Sequence, residues 1–136
     1  MDTSVMEEIL EQHLTNGVQH YYNHEYVSAI ALLSELELRL DCNPNDLVLD
    51  EARRYLFLSY CGQAQALRHV ARKHATNGNF LTAHLWTQEA KGYAYLARSY
   101  ELKIRDSKEC DKSEELVKEI EHDERRYKNQ QLNLPC

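Results

Sequence analysis

Glycine and proline are scarce in this 136-residue chain, with four and two respectively. Both prolines, Pro44 and Pro135, fall outside the segments that show apolar periodicity, so little interrupts long helices, whereas a chain of many short strands needs frequent turn residues. The fold class expected is all-α. Cysteine is also sparse and scattered: Cys42, Cys61, Cys110 and Cys136 form no CxxC pair, and no stretch resembles a secretory signal peptide. These features predict a reducing compartment, cytoplasmic or nuclear. No apolar run approaches the ~20 residues needed to cross a bilayer. Positive charge is in deficit as well, with 16 basic against 22 acidic residues and a net charge of −6, which disfavours a general nucleic-acid or anionic-membrane binder. No glycine-rich phosphate loop or pair of catalytic carboxylates stands out, and the cysteines lack metal-ligand spacing. No cofactor, metal site or catalytic residue is therefore expected.

What the chain does contain is an echo of itself 54 positions on. The stretch from His20 to Ala29 returns as His74 to Ala83. His, Asn and Ala are identical, and Tyr26, Val27 and Ser28 are replaced conservatively by Phe80, Leu81 and Thr82. Each copy reads as the sharp turn of a helical hairpin: small or turn-forming residues precede an aromatic that opens a new apolar period, with an alanine three residues on. The length suits one domain with a single core.

Five helices are expected, arranged as antiparallel hairpins stacked into a bundle or short solenoid. The first starts near Ser4, which has capping-box spacing to Glu7, and runs to Tyr22 or His24 with Met6, Ile9, Leu10, His13, Gly17 and Tyr21 in helical period. The second spans about Glu25 to Leu40 on a stripe of Tyr26, Ala29, Ile30, Leu33, Leu36 and Leu40. A linker of Asp41 to Asp46, marked by Pro44, separates the hairpins. The third helix covers roughly Leu47 to Ala75, with Ala52, Leu56, Tyr60, Ala64, Leu67, Ala71 and His74 on one side. The fourth runs from Phe80 to Ile104, and its stripe of Ala83, Ala90, Ala94 and Ala97 lets a neighbour approach closely. The hairpins thus occupy about 4–40 and 47–105. A charged helix over about 113–128 follows a polar loop, and 129–136 is expected to be a flexible tail. Paired charges such as Glu114 with Lys118 add only ~0.2–0.5 kcal/mol each, so that last helix depends on docking.

The hairpin pattern resembles the tetratricopeptide repeat. A small residue in the first helix, an aromatic opening the second and an alanine three residues later fall to Gly17, Tyr26 and Ala29, then to Ala71, Phe80 and Ala83. The period of 54 departs from the family's ~34 residues. The first hairpin is also similar to the MIT domain, a three-helix binder of short helical peptides. The second resembles the small helical domain found ahead of Smr nuclease domains, through Gly78, Ala83, Thr87 and Ala90. Each resemblance covers under half the chain. What they imply is a non-catalytic interaction module or adaptor, since stacked hairpins leave a helical face on which a partner's peptide or helix docks.

The partner-binding residues expected are Arg53, Arg68, Arg72, Trp86, Tyr93 and Tyr100. Tyr and Trp anchor interfaces, and the basic third helix suits an acidic protein segment. Self-association into a homodimer, through the alanine stripe of the fourth helix, is the structural alternative. The catalytic alternative rests on the run from Arg68 to His74, which fits the arginine–histidine spacing of HEPN ribonucleases. There the histidine serves as acid or base and the arginine meets a phosphorane-like charge. His20 and His24, with His13 earlier, have one-face spacing, but the turn expected at Asn23 separates the pair.

Overall fold

The computed structural model describes residues 3–40, 47–104 and 112–132. The described residues form five α-helices and no strand: α1 (Thr3–Tyr22), α2 (Tyr26–Leu40), α3 (Leu47–Thr76), α4 (Phe80–Glu101) and α5 (Lys112–Leu132). Neighbours in sequence pack as neighbours in space, and α3 also meets α1 and α5. The architecture is an all-α helical bundle. No described helix is long and apolar enough to cross a membrane.

The two copies of the echo are two copies of one turn. In the first, the Glu25 amide donates to the His20 carbonyl at 2.9 Å and the His24 amide to Tyr21 at 3.0 Å. In the second, Asn79 donates to His74 at 2.9 Å and Gly78 to Ala75 at 3.0 Å. Both are Schellman caps, in which amides just past a helix satisfy its orphaned last carbonyls and one residue turns left-handed. That residue is His24 in the first copy, at φ 61°, and Gly78 in the second, at φ 80°. The next helix starts at once in each case, with Ala29 bonded back to Glu25 and Ala83 to Asn79.

The core follows the expected stripes. Ala29, Leu33 and Leu36 of α2, Leu49, Ala52, Leu56, Phe57 and Ala64 of α3, and Ala90, Ala94 and Ala97 of α4 are buried together with Leu116, Val117 and Ile120 of α5. A smaller cluster of Ala71, Ala83 and Tyr127 closes the far end of the second hairpin. Close approach decides where side chains are missing. A Cβ on Gly17 would stand 2.7 Å from Leu33 Cδ2, and one on Gly62 would enter the Tyr26 ring. Glycine at these two points lets α1 and α3 seat against α2.

Two helices differ from expectation in their bounds and one in its burial. Helix α4 ends at Glu101 and not at Ile104, because the Leu102 amide is shared between the Arg98 and Tyr100 carbonyls, tightening the last turn. Helix α5 begins at Lys112 and continues to Leu132, so residues 129–132, expected in a flexible tail, are helical. The reason lies at both ends of α5: Glu101 Oε2 accepts the Ser113 amide at 3.2 Å and the Ser113 hydroxyl, capping its start, while buried Tyr127 anchors its last turns. Third, the N-terminal half of α1 is less covered than its periodicity implies, with Met6 at 41% and Ile9 at 37% exposure. The expected linker at 41–46, most of the polar loop before α5 and residues 133–136 lie outside the described residues.

Candidate functional site

Of the six side chains expected to meet a partner, two bond Glu37 of α2 and a third, Tyr93, lies beside them. Arg53 donates from Nε to Glu37 Oε2 at 3.1 Å, and the Tyr100 hydroxyl donates to Oε1 at 2.6 Å. Tyr100 stacks on Tyr60 with 5.5 Å between ring centroids, and Tyr93 lies 6.2 Å from the same ring. Burial, then the Glu37 carboxylate, pushes the Tyr100 phenol above its ordinary range, and burial foremost does the same for Tyr60. Both phenols stay protonated at neutral pH. The group is a clamp joining α2, α3 and α4.

The other three lie around α5. Arg68 donates from Nε to Asp123 Oδ2 and from a terminal nitrogen to Glu119 Oε2, each at 2.7 Å. Its side chain is 11% exposed and that of Asp123 only 4%. Burial works against the guanidinium charge, but the hydrogen bonds and charges of Asp123 and Glu119 outweigh it and raise its affinity for the proton. Arg72 reaches the same Asp123 oxygen at only 3.9 Å and is half exposed. Trp86 is half-buried between the two apolar clusters. The acidic segment that receives Arg68 is therefore the chain's own fifth helix.

More polar contacts seat that helix on α4. Lys91 Nζ donates to Glu124 at 3.0 Å, which raises its affinity for the proton, and the Tyr95 hydroxyl donates to Glu121 at 3.3 Å. A further tyrosine group sits by the first turn. The Tyr22 and Tyr55 hydroxyls are 3.1 Å apart, and that hydrogen bond, with burial, pushes the Tyr55 phenol up to about 12.

The ribonuclease pairing needs a guanidinium free to meet phosphate, and two carboxylates hold that of Arg68. His74 closes the second turn through its backbone carbonyl. At the first turn, His20 Nδ1 lies 3.5 Å from Glu25 and His24 Nδ1 is 2.8 Å from the Tyr26 hydroxyl. Among the described residues, no group of three or more His, Cys, Asp or Glu is placed to hold a metal ion. The alanine stripe expected to form a dimer seam is spent inside the chain, with Ala83, Ala90, Ala94 and Ala97 all fully buried.

The surface that sequence reasoning passed over is the opposite side of α4. Leu81 and Leu85 are each 56% exposed, Leu96 46% and Tyr95 44%. Their spacing places them with Gln88, Gly92 and Ser99 on one helical side that carries no charge. A Cβ added at Gly92 would meet nothing, so this side is open at its centre. The signal was present: the alanines define the inner stripe, and leucines recur four and eleven residues apart on the outer one. No family profile matches the chain, and comparison with curated proteins and with solved structures finds no match.

Proposed function

We propose that the chain is a non-catalytic interaction module that seats an amphipathic helix of a protein partner on the outer side of α4. The observation that carries this reading is the uncharged, exposed row of Leu81, Leu85, Gly92, Tyr95 and Leu96, which runs over about four helical turns. An apolar row of that length on a solvated helix costs solubility unless a partner covers it. Helix-on-helix docking suits its shape, because the gap at Gly92 admits a partner's ridge and its backbone. The resemblance to tetratricopeptide hairpins points to the same class of partner. Both outer sides of the duplicated turn are apolar, with Val27 59% exposed where the second copy has Leu81. The row, and not the clamp around Glu37 or the pairs around Asp123, is the proposed contact.

The test is affinity capture from native extract with the intact chain and with Leu85→Glu/Leu96→Glu. A partner held by the parent and lost by the variant, with the thermal midpoint unchanged, supports the reading. Identical partner sets in both would overturn it.

A further inference from the structure

At the end of the bundle where α3 and α5 finish and α4 begins, a cleft of about 390 Å³ opens between Arg72, Ala75, Phe80, Arg126, Tyr127 and Gln130. Its walls carry two guanidiniums and no acid. Arg72 is half exposed and 3.9 Å from Asp123, a carboxylate that Arg68 holds at 2.7 Å, so it makes no close hydrogen bond to that acid. Arg126 has no carboxylate partner among the described residues, and its guanidinium lies 5.3 Å from the centroid of the Tyr127 ring. Tyr127 itself is 1% exposed, and its hydroxyl is buried without a hydrogen-bond partner. Buried hydroxyls are ordinarily satisfied, because an orphan forfeits the bonds it made to water. Tyr127 lines the same cationic cleft.

We infer that the cleft binds a phosphomonoester carried on a small aromatic or apolar body. The planar forks of Arg72 and Arg126 suit the oxygens of a phosphate dianion better than a point charge does. The exposed side-chain amide of Gln130, in the same wall, is the third donor. Phe80 and Ala75 supply the apolar wall for the body of the ligand, and the volume lies in the range of small-molecule sites. Helix α4 adds a favourable field, since Phe80 opens it and its N-cap residue Asn79 makes no side-chain capping bond. Thr76, also in the wall, has its hydroxyl committed to the Arg72 carbonyl at 2.9 Å, which leaves the guanidiniums and the Gln130 amide as the donors. The inference stands on a different part of the surface from the α4 row, so either can fail without the other.

Phenyl phosphate titrated into the isotope-labelled intact chain tests it. Amide shifts confined to the ends of α3 and α5 and the start of α4 are expected, with benzoate weaker and benzyl alcohol not binding. Arg126→Ala should weaken binding about tenfold, and Arg126→Lys, which keeps the charge and loses the fork, by less. Tyr127→Phe should leave the thermal midpoint equal or higher, since it deletes an orphaned hydroxyl. Benzyl alcohol binding as well as phenyl phosphate, shifts scattered over the molecule, or unchanged affinity in Arg126→Ala and Arg126→Lys would each overturn the site.

Discussion

The first hairpin and the second begin from the same turn and end as different structures. In both, two backbone hydrogen bonds cap a helix through a left-handed residue, yet that residue is a histidine in one and a glycine in the other. Helices α1 and α2 approach through one glycine, Gly17 against Leu33. Helices α3 and α4 approach through fully buried alanines, Ala64 and Ala71 from one side and Ala83, Ala90, Ala94 and Ala97 from the other. Only the second hairpin gains a fifth helix, held over its inner side by Leu116, Val117, Ile120 and the ion pairs of Arg68 and Lys91. Duplicated turns thus do not dictate duplicated surroundings. A turn is satisfied by its own backbone, whereas the packing around it depends on side chains that the two copies do not share.

The difference can be broken most forcefully at the fifth helix. Arg68→Ala leaves Asp123 buried beside only the distant Arg72, and a stranded buried charge costs about 3 kcal/mol. Chemical denaturation should show that loss, with hydrogen exchange rising first in α5 and not in α1 or α2. Uniform acceleration across all five helices would show that the second hairpin and its cover are no separate unit.

Adding a single methyl group probes the two modes of approach. Gly17→Ala drives a Cβ to 2.7 Å from the buried Leu33 and should cost about 1–3 kcal/mol. Gly92→Ala, on the open side of α4, should instead stabilise by up to about 1 kcal/mol through helix propensity. Thermal melts of the two variants check the contrast, and equal shifts would erase it.

The smallest effects belong to the turns themselves. Gly78→Ala places a side chain at φ 80° and should cost about 1 kcal/mol. His24→Gly relieves the same strain at φ 61° but loosens the unfolded chain and gives up the contact to Tyr26, leaving a net gain of about 0.5 kcal/mol. Calorimetry on the pair reads both signs. If His24→Gly destabilises by as much as Gly78→Ala, the histidine is doing more than filling a cap.

The echo of His20 to Ala29 was legible because a Schellman turn is a local object, built from consecutive backbone groups with one demanding dihedral. Helix stripes were legible for the same kind of reason: a 3.6-residue period writes the buried side into the sequence, and Ala29, Leu33, Leu56, Ala64 and Ala90 are all where the period put them. The partners that the candidate contact residues have inside the chain were not legible. Arg53, Arg68 and Tyr100 carry the residue types that serve interfaces, but composition cannot distinguish an external partner from Glu37 or Asp123 of the same chain.

The sequence by itself determined the fold class, the helices and the two turns, since these rest on spacing and on backbone groups near one another along the chain. Only the tertiary structure decided how far α5 extends, which arginines are consumed by its acids, and which stay at the cleft beside Tyr127. Those outcomes depend on residues far apart along the chain, from 12 positions for Glu101 and Ser113 to 55 for Arg68 and Asp123. Long-range pairing of this kind is set by how helices dock, and docking leaves no period in the sequence.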